Sequence, residues 1–160
     1  MVVMLTNLAL LGMGRLRSSI RVVAIQGMAL GALPLFVSNR GLTWSLLVIA
    51  VGSFALKGVV FPWWLTRTLQ ATNAQREVSP IVGPSASTAL GALLIAFSFW
   101  IGSRFQLPST VPVVSRLAMP VAVATLLSGL FVIVTRRQAL TQVLGYLVLE
   151  NGIFVFGLAL

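Results

Sequence analysis

Apolar runs of membrane length alternate with short polar breaks along this chain, and their spacing predicts six helices. The expected spans are about 1–14, 22–38, 42–66, 81–103, 113–135 and 138–160, in one transmembrane domain covering 1–160. The first run is apolar but for Thr6 and Asn7 and is short, since a span needs about 20 residues. It resembles a signal h-region in length but lacks a basic n-region and a small-residue cleavage site, so it is read as a short first helix. The fold class is therefore all-α, a polytopic transmembrane bundle.

Several positions interrupt the apolar pattern. The second run holds Gln26 and the pair Gly27 and Gly31, small residues four apart that let helices approach closely. Gln26 reads first as interhelical hydrogen-bond glue and second as a carrier. The third run has Trp44 at one end and Trp63 and Trp64 at the other, as interfacial anchors do, with Pro62 expected to kink its last turns. Lys57 lies inside this run. It either snorkels to the Trp64 end or turns into the bundle as a charge-relay group. Gly83 and Pro84 interrupt the start of the fourth run, Trp100 anchors its far end, and Pro120 is expected to bend the fifth. The sixth run stops in apolar sequence at Leu160, which leads us to expect that the natural chain continues.

Charge is placed by the loops. Apolar residues make up 58% of the chain and charged ones 8%, where soluble domains carry about 25%. The formal net charge of +9 would point to nucleic acid in a soluble protein. Here the bases sit between apolar runs, so they read as topology signals and anionic-lipid contacts, with no nucleic-acid partner. The first, third and fifth breaks collect seven arginines, namely Arg15, Arg17, Arg21, Arg67, Arg76, Arg136 and Arg137. The second and fourth collect three, namely Arg40, Arg104 and Arg116. The positive-inside rule then puts the first group in the cytoplasm and both chain ends outside, in a multi-pass protein of a bacterial or archaeal cytoplasmic (inner) membrane. The absence of His and Cys removes thiol chemistry and the usual zinc, haem and iron–sulfur ligand sets.

The candidate site lies in the last run. Only two acids occur, Glu77 in the long polar break and Glu150 in the sixth helix. Glu150 comes 13 residues after Arg137, which is about 20 Å of helix and close to mid-bilayer. A charge there costs roughly 2.5 to 3.5 kcal/mol on insertion scales, so an ionisable residue at that depth is a functional-site hypothesis. Tyr146 precedes it by one helical turn, Asn151 follows it, and Gln142 extends the polar positions towards the arginine edge of Arg136 and Arg137. These groups are candidates for a hydrogen-bonded file. Burial favours the protonated carboxyl and a nearby ammonium favours the carboxylate, the tension a reversible proton carrier needs. The bland reading is a permanently protonated Glu150 bonded within the bundle. The proton-path set is Glu150, Lys57, Tyr146, Asn151, Gln142 and Gln26. The cytoplasmic edge is Arg136, Arg137, Arg15 and Arg17.

The run from Arg137 through Gly145, Tyr146, Glu150, Asn151 and Gly152 resembles the signature of hydrogenase-4 component E, a membrane subunit of complex I-like, group 4 membrane-bound hydrogenases. Further likeness is spread along the chain, in the first arginine loop with Gln26 and in the Trp44 helix with Lys57 five residues before Pro62. A more distant similarity is to the K subunit of NADH:quinone oxidoreductase. Laying that subunit's arginine, glycine and asparagine on Arg137, Gly145 and Asn151 puts Leu147 at its glutamate position, with Glu150 one turn further on. The resemblance implies a K-subunit-like helical unit within the bundle. It also implies a subunit without a catalytic centre of its own, placed between the proximal membrane module and antiporter-like subunits of a hetero-oligomeric oxidoreductase. Nickel–iron and iron–sulfur centres would then belong to partner chains, with no cofactor or metal in this one.

Three functions compete on these residues. The first is a proton-path (or Na+-path) subunit of an energy-converting complex, marked by Glu150 with Lys57 as a candidate partner whose contact with it the sequence does not give. The second is an assembly subunit in which Glu150 is structural glue. The third is a stand-alone small transporter, for which inverted repeats and broken helices are expected. The first half carries no acidic counterpart of Glu150.

Overall fold

The computed structural model describes residues 1–37, 43–72, 81–104 and 113–159; Arg40, Arg76 and Glu77 lie outside the described residues. Among the described residues every regular element is helical. The order is α1 (Val2–Gly12), α2 (Leu16–Val37), α3 (Trp44–Ala55), a π-helical segment (Leu56–Val60), α4 (Phe61–Thr72), α5 (Pro84–Arg104), α6 (Val113–Thr135) and α7 (Ala139–Ala159). Helical backbone at Leu56 and Phe61 makes α3, the π segment and α4 one continuous rod. Five rods are long and apolar enough to cross a bilayer, which makes the chain a multi-pass membrane protein; α1, with 11 residues, is shorter than a span.

Boundaries move where local chemistry outweighs hydropathy. α2 begins at Leu16, so Arg17 and Arg21 ride on the exposed face of a helix expected to start at Val22. Arginine is a good helix former, and nothing between Leu16 and Arg21 breaks a helix. α5 begins at Pro84, where the missing N–H costs nothing and the fixed φ suits a first turn. Upstream of Pro62 the backbone widens. The Phe61 N–H reaches back five residues to the Leu56 carbonyl. Proline donates no hydrogen bond and crowds the carbonyl four residues before it, that of Gly58, and a π turn relieves both.

α6 and α7 form the most extensive helix pair, an antiparallel hairpin. α1 packs against α2, α5 and α6, and α2 in turn lies against α7 and the α3–α4 rod. Glycines set the closest approaches. A Cβ on Gly152 would stand 2.7 Å from the Leu126 nitrogen, and one on Gly27 would stand 2.7 Å from Lys57 Cβ. Leu11, Val132, Leu144 and Val148 are among the side chains that fill the core between α1, α6 and α7. The outer faces carry exposed Val48, Ile49, Phe54, Leu93 and Phe97, a belt suited to lipid. Trp44 and Trp100 are exposed near helix ends, whereas Trp63 and Trp64, expected at the end of the third span, are exposed inside the rod that runs on to Thr72, with Arg67 over Trp63 and Arg104 over Trp100.

Candidate functional site

α7 presents Glu150 about halfway along its 21 residues. From the adjacent rod the π segment presents Lys57. Its Nζ lies 3.1 Å from Glu150 Oε1 and donates to Asn151 Oδ1 at 2.9 Å. The Phe154 ring, one turn along α7, covers the ammonium with its centroid 5.3 Å away. A carboxylate, an amide oxygen and an aromatic face thus surround one cation. Two local features bring it there. The π turn sets the phase of the rod, and Gly27 of α2 leaves room for the lysine stem.

Lys57 is 12% exposed through its side chain and Glu150 is 41% exposed. The pair is therefore one-sided, with the ammonium packed into the bundle and the carboxylate open laterally. A small pocket adjoins it, lined by Val23, Lys57, Phe61, Leu147, Glu150 and Asn151. Its enclosed part holds about one water at a time.

The remaining sequence candidates separate. Asn151 is buried behind Lys57, whereas Tyr146 is 61% exposed on the outward face of α7 above Ile153 and below the arginine end. Gln142 is exposed and donates from Nε2 to the Arg136 carbonyl at 3.0 Å, which holds the α6–α7 corner. Gln26 faces away from Lys57. Its Nε2 donates to Asn7 Oδ1 at 2.8 Å, Asn7 Nδ2 donates to Thr125 Oγ1 at 3.0 Å, and the Thr125 hydroxyl donates to the Val121 carbonyl at 2.7 Å. All three side chains are at or below 1% exposure. Asn7 was legible as the sole amide in an apolar run; Thr125 carried no signal, because a helical threonine is unremarkable until its partner is known.

The two polar groups share one level of the bundle. Gly152 meets Leu126, so the preceding Asn151 and Thr125 are level, and Gly27 meets Lys57, so Gln26 is level with the ion pair. One group is ionic and open to the side, and the other is neutral and sealed.

At the arginine end, Arg15, Arg17 and Arg137 are exposed, but Arg136 is 3% exposed and donates from Nη2 to the Leu11 carbonyl at 3.1 Å. A guanidinium there satisfies a carbonyl of the last turn of α1 and opposes its dipole. Among the described residues no three carboxylate, thiol or imidazole side chains gather as a metal site.

The chain is similar to two kinds of known protein. An uncharacterised Mycobacterium tuberculosis protein, Rv0085, is 37% identical over 139 residues, covering 86% of this chain and 62% of the relative. Hydrogenase-4 component E of Escherichia coli is a homologue, 28% identical over 151 residues that cover 93% of this chain and 68% of that protein. The Shigella flexneri protein of the same name matches to the same degree. The chain spans about two thirds of the length of these curated relatives. No family model matches the chain, and no solved structure matches it.

Proposed function

We propose that this chain is a non-catalytic membrane subunit of a hydrogenase or complex I-like oxidoreductase, and that Lys57 and Glu150 form one station of its proton or Na+ path. The observation that carries the proposal is the ion pair itself, an ammonium and a carboxylate 3.1 Å apart at mid-depth in membrane-length helices. Homology to hydrogenase-4 component E supplies the setting, since that name belongs to one component of a larger assembly. Glu150 exchanges a proton, with Lys57 stabilising the carboxylate and Asn151 holding the ammonium when the carboxyl is neutral. Tyr146, on the same outward face, continues the polar surface towards Gln142.

Glu150 cannot stay 41% exposed to lipid without the cost quoted for an intramembrane charge. A neighbouring membrane subunit, proximal or antiporter-like, covers that side and extends the path. Nickel–iron and iron–sulfur chemistry resides in other chains. In the competing reading the same pair is an assembly contact, as hydrogen-bonded ionic groups fix helix register in some proteins.

Purification of the full-length protein from its native membrane in mild detergent tests the setting. The expected co-purifying chains are a hydrogenase module and antiporter-like membrane subunits. A homogeneous protein without partners, active as a transporter in vesicles, would overturn it.

A further inference from the structure

On α7, Val143, Tyr146, Glu150, Ile153 and Gly157 follow one another at intervals of three, four, three and four residues, which sets them in one stripe down the helix. From Val143 to Gly157 the stripe is about 21 Å long, most of the depth of a hydrocarbon core. Val143, Tyr146, Ile153 and Gly157 are exposed, and the Glu150 side chain is 41% exposed. α6 packs against Gly145, Leu149 and Gly152, so the stripe lies off that contact.

Its contents differ from those of the lipid-facing surfaces. The α3–α4 rod exposes Val48, Ile49 and Phe54, and α5 exposes Leu90, Leu93 and Phe97, all bulky and apolar. The α7 stripe instead holds a carboxylate, a phenol and a glycine. A Cβ at Gly157 would meet nothing within 4 Å, so packing within this chain does not call for glycine there, and glycine is a poorer helix former than alanine. Facing outward from a membrane helix, it lets a neighbouring backbone come close. Glu150 is equally incomplete. A carboxylate offers about four acceptor sites, and Lys57 meets one of its oxygens. Lys57 also balances its charge, so a second cation at this depth would stand uncompensated. What the open edge of Glu150 lacks is a neutral hydrogen-bond donor.

We infer that the α7 stripe seats one transmembrane helix of another subunit. That helix lies beside α7 at the shallow crossing angle that goes with three-four spacing, about 20°. It comes closest at Gly157, and at the level of Glu150 it carries a serine, threonine, asparagine or glutamine that donates to the carboxylate. A second copy of this chain is a poorer occupant, because two-fold pairing about the membrane normal would set two Glu150 carboxylates against each other with no donor between them. The inference rests on the reading of this chain as a subunit of a membrane assembly, and not on proton carriage by Glu150.

The test places a benzophenone amino acid at position 143 or 153 of the full-length protein in its native membrane, irradiates, and maps the adducts by mass spectrometry. Both positions are expected to crosslink to one helix of one other subunit, at sites about ten residues apart because both helices rise about 1.5 Å per residue. A serine, threonine, asparagine or glutamine should lie between the two sites. Gly157→Leu should lower both yields about tenfold, while a cysteine pair at positions 57 and 150 still crosslinks and so shows the chain itself intact. Adducts with lipid alone, with a second copy of this chain, or with a helix bearing a charged residue opposite Glu150 would each overturn the inference. Lipid adducts in a complex that still co-purifies with hydrogenase and antiporter-like subunits would do so while leaving the proposed setting in place. A chain that purifies without partners would remove both.

Discussion

Lys57 and Glu150 are each costly in hydrocarbon alone, and their contact depends on a residue with no side chain. Gly27 lies against Lys57 Cβ, an atom fixed to the backbone that cannot swing aside as a lysine tip could. Gly27→Ala therefore pushes the π segment away from α2 and carries Nζ off Glu150 Oε1. Overpacking of this kind costs about 1–3 kcal/mol, so the thermal midpoint of the purified protein should fall by several degrees. A cysteine pair at positions 57 and 150 should crosslink less in the Gly27→Ala background than in its absence. Equal crosslinking would show that the glycine does not set the distance. Glu150 was legible from the sequence through scarcity and depth. Its contact with Lys57 was not, because hydropathy gives a residue's depth and says nothing of which way it faces around a helix.

At the scale of elements, the polar layer divides labour between two sets of helices. Asn7, Gln26 and Thr125 join α1, α2 and α6 with no titratable group, which makes them a clamp at the level of the ion pair. Asn7→Ala leaves the buried Gln26 amide without its acceptor at about 1–3 kcal/mol, while Thr125 keeps its bond to the Val121 carbonyl, and a double-mutant cycle between Asn7 and Gln26 should return a coupling of about 1 kcal/mol. Additive losses would mean that the two amides do not act together. The helices themselves were legible, since each long apolar run became a rod. The π turn was not: Pro62 announced a disturbance, but whether a helix kinks or widens is decided by packing, here that of Gly58 against Met28. The burial of Arg136 was not legible either. Placed at the edge by sequence, it is buried there because the carbonyl end of α1 offers it an acceptor.

For the whole molecule, the arginine distribution fixes orientation if the rods cross as their lengths allow. Single cysteines at Ser38 and Ala71 should be labelled from opposite sides of the membrane by an impermeant reagent. Labelling from the same side would contradict a crossing by the α3–α4 rod. The layout also assigns surfaces. The bundle buries its neutral triad and Arg136 but leaves Tyr146 and the edge of Glu150 facing outward, as suits a chain that completes its site against a neighbour.

The measurement that bears most directly on the ion-path role is proton translocation per electron in vesicles carrying the assembled complex with Glu150→Gln. Glutamine keeps the size and hydrogen-bonding capacity of the side chain but cannot carry the charge. The predicted result is normal assembly, slowed or uncoupled electron transfer and a sharp fall in translocation, with Lys57→Met giving a similar but milder loss. Translocation per electron unchanged in a fully assembled Glu150→Gln complex would contradict the carrier role and leave the pair as an assembly contact.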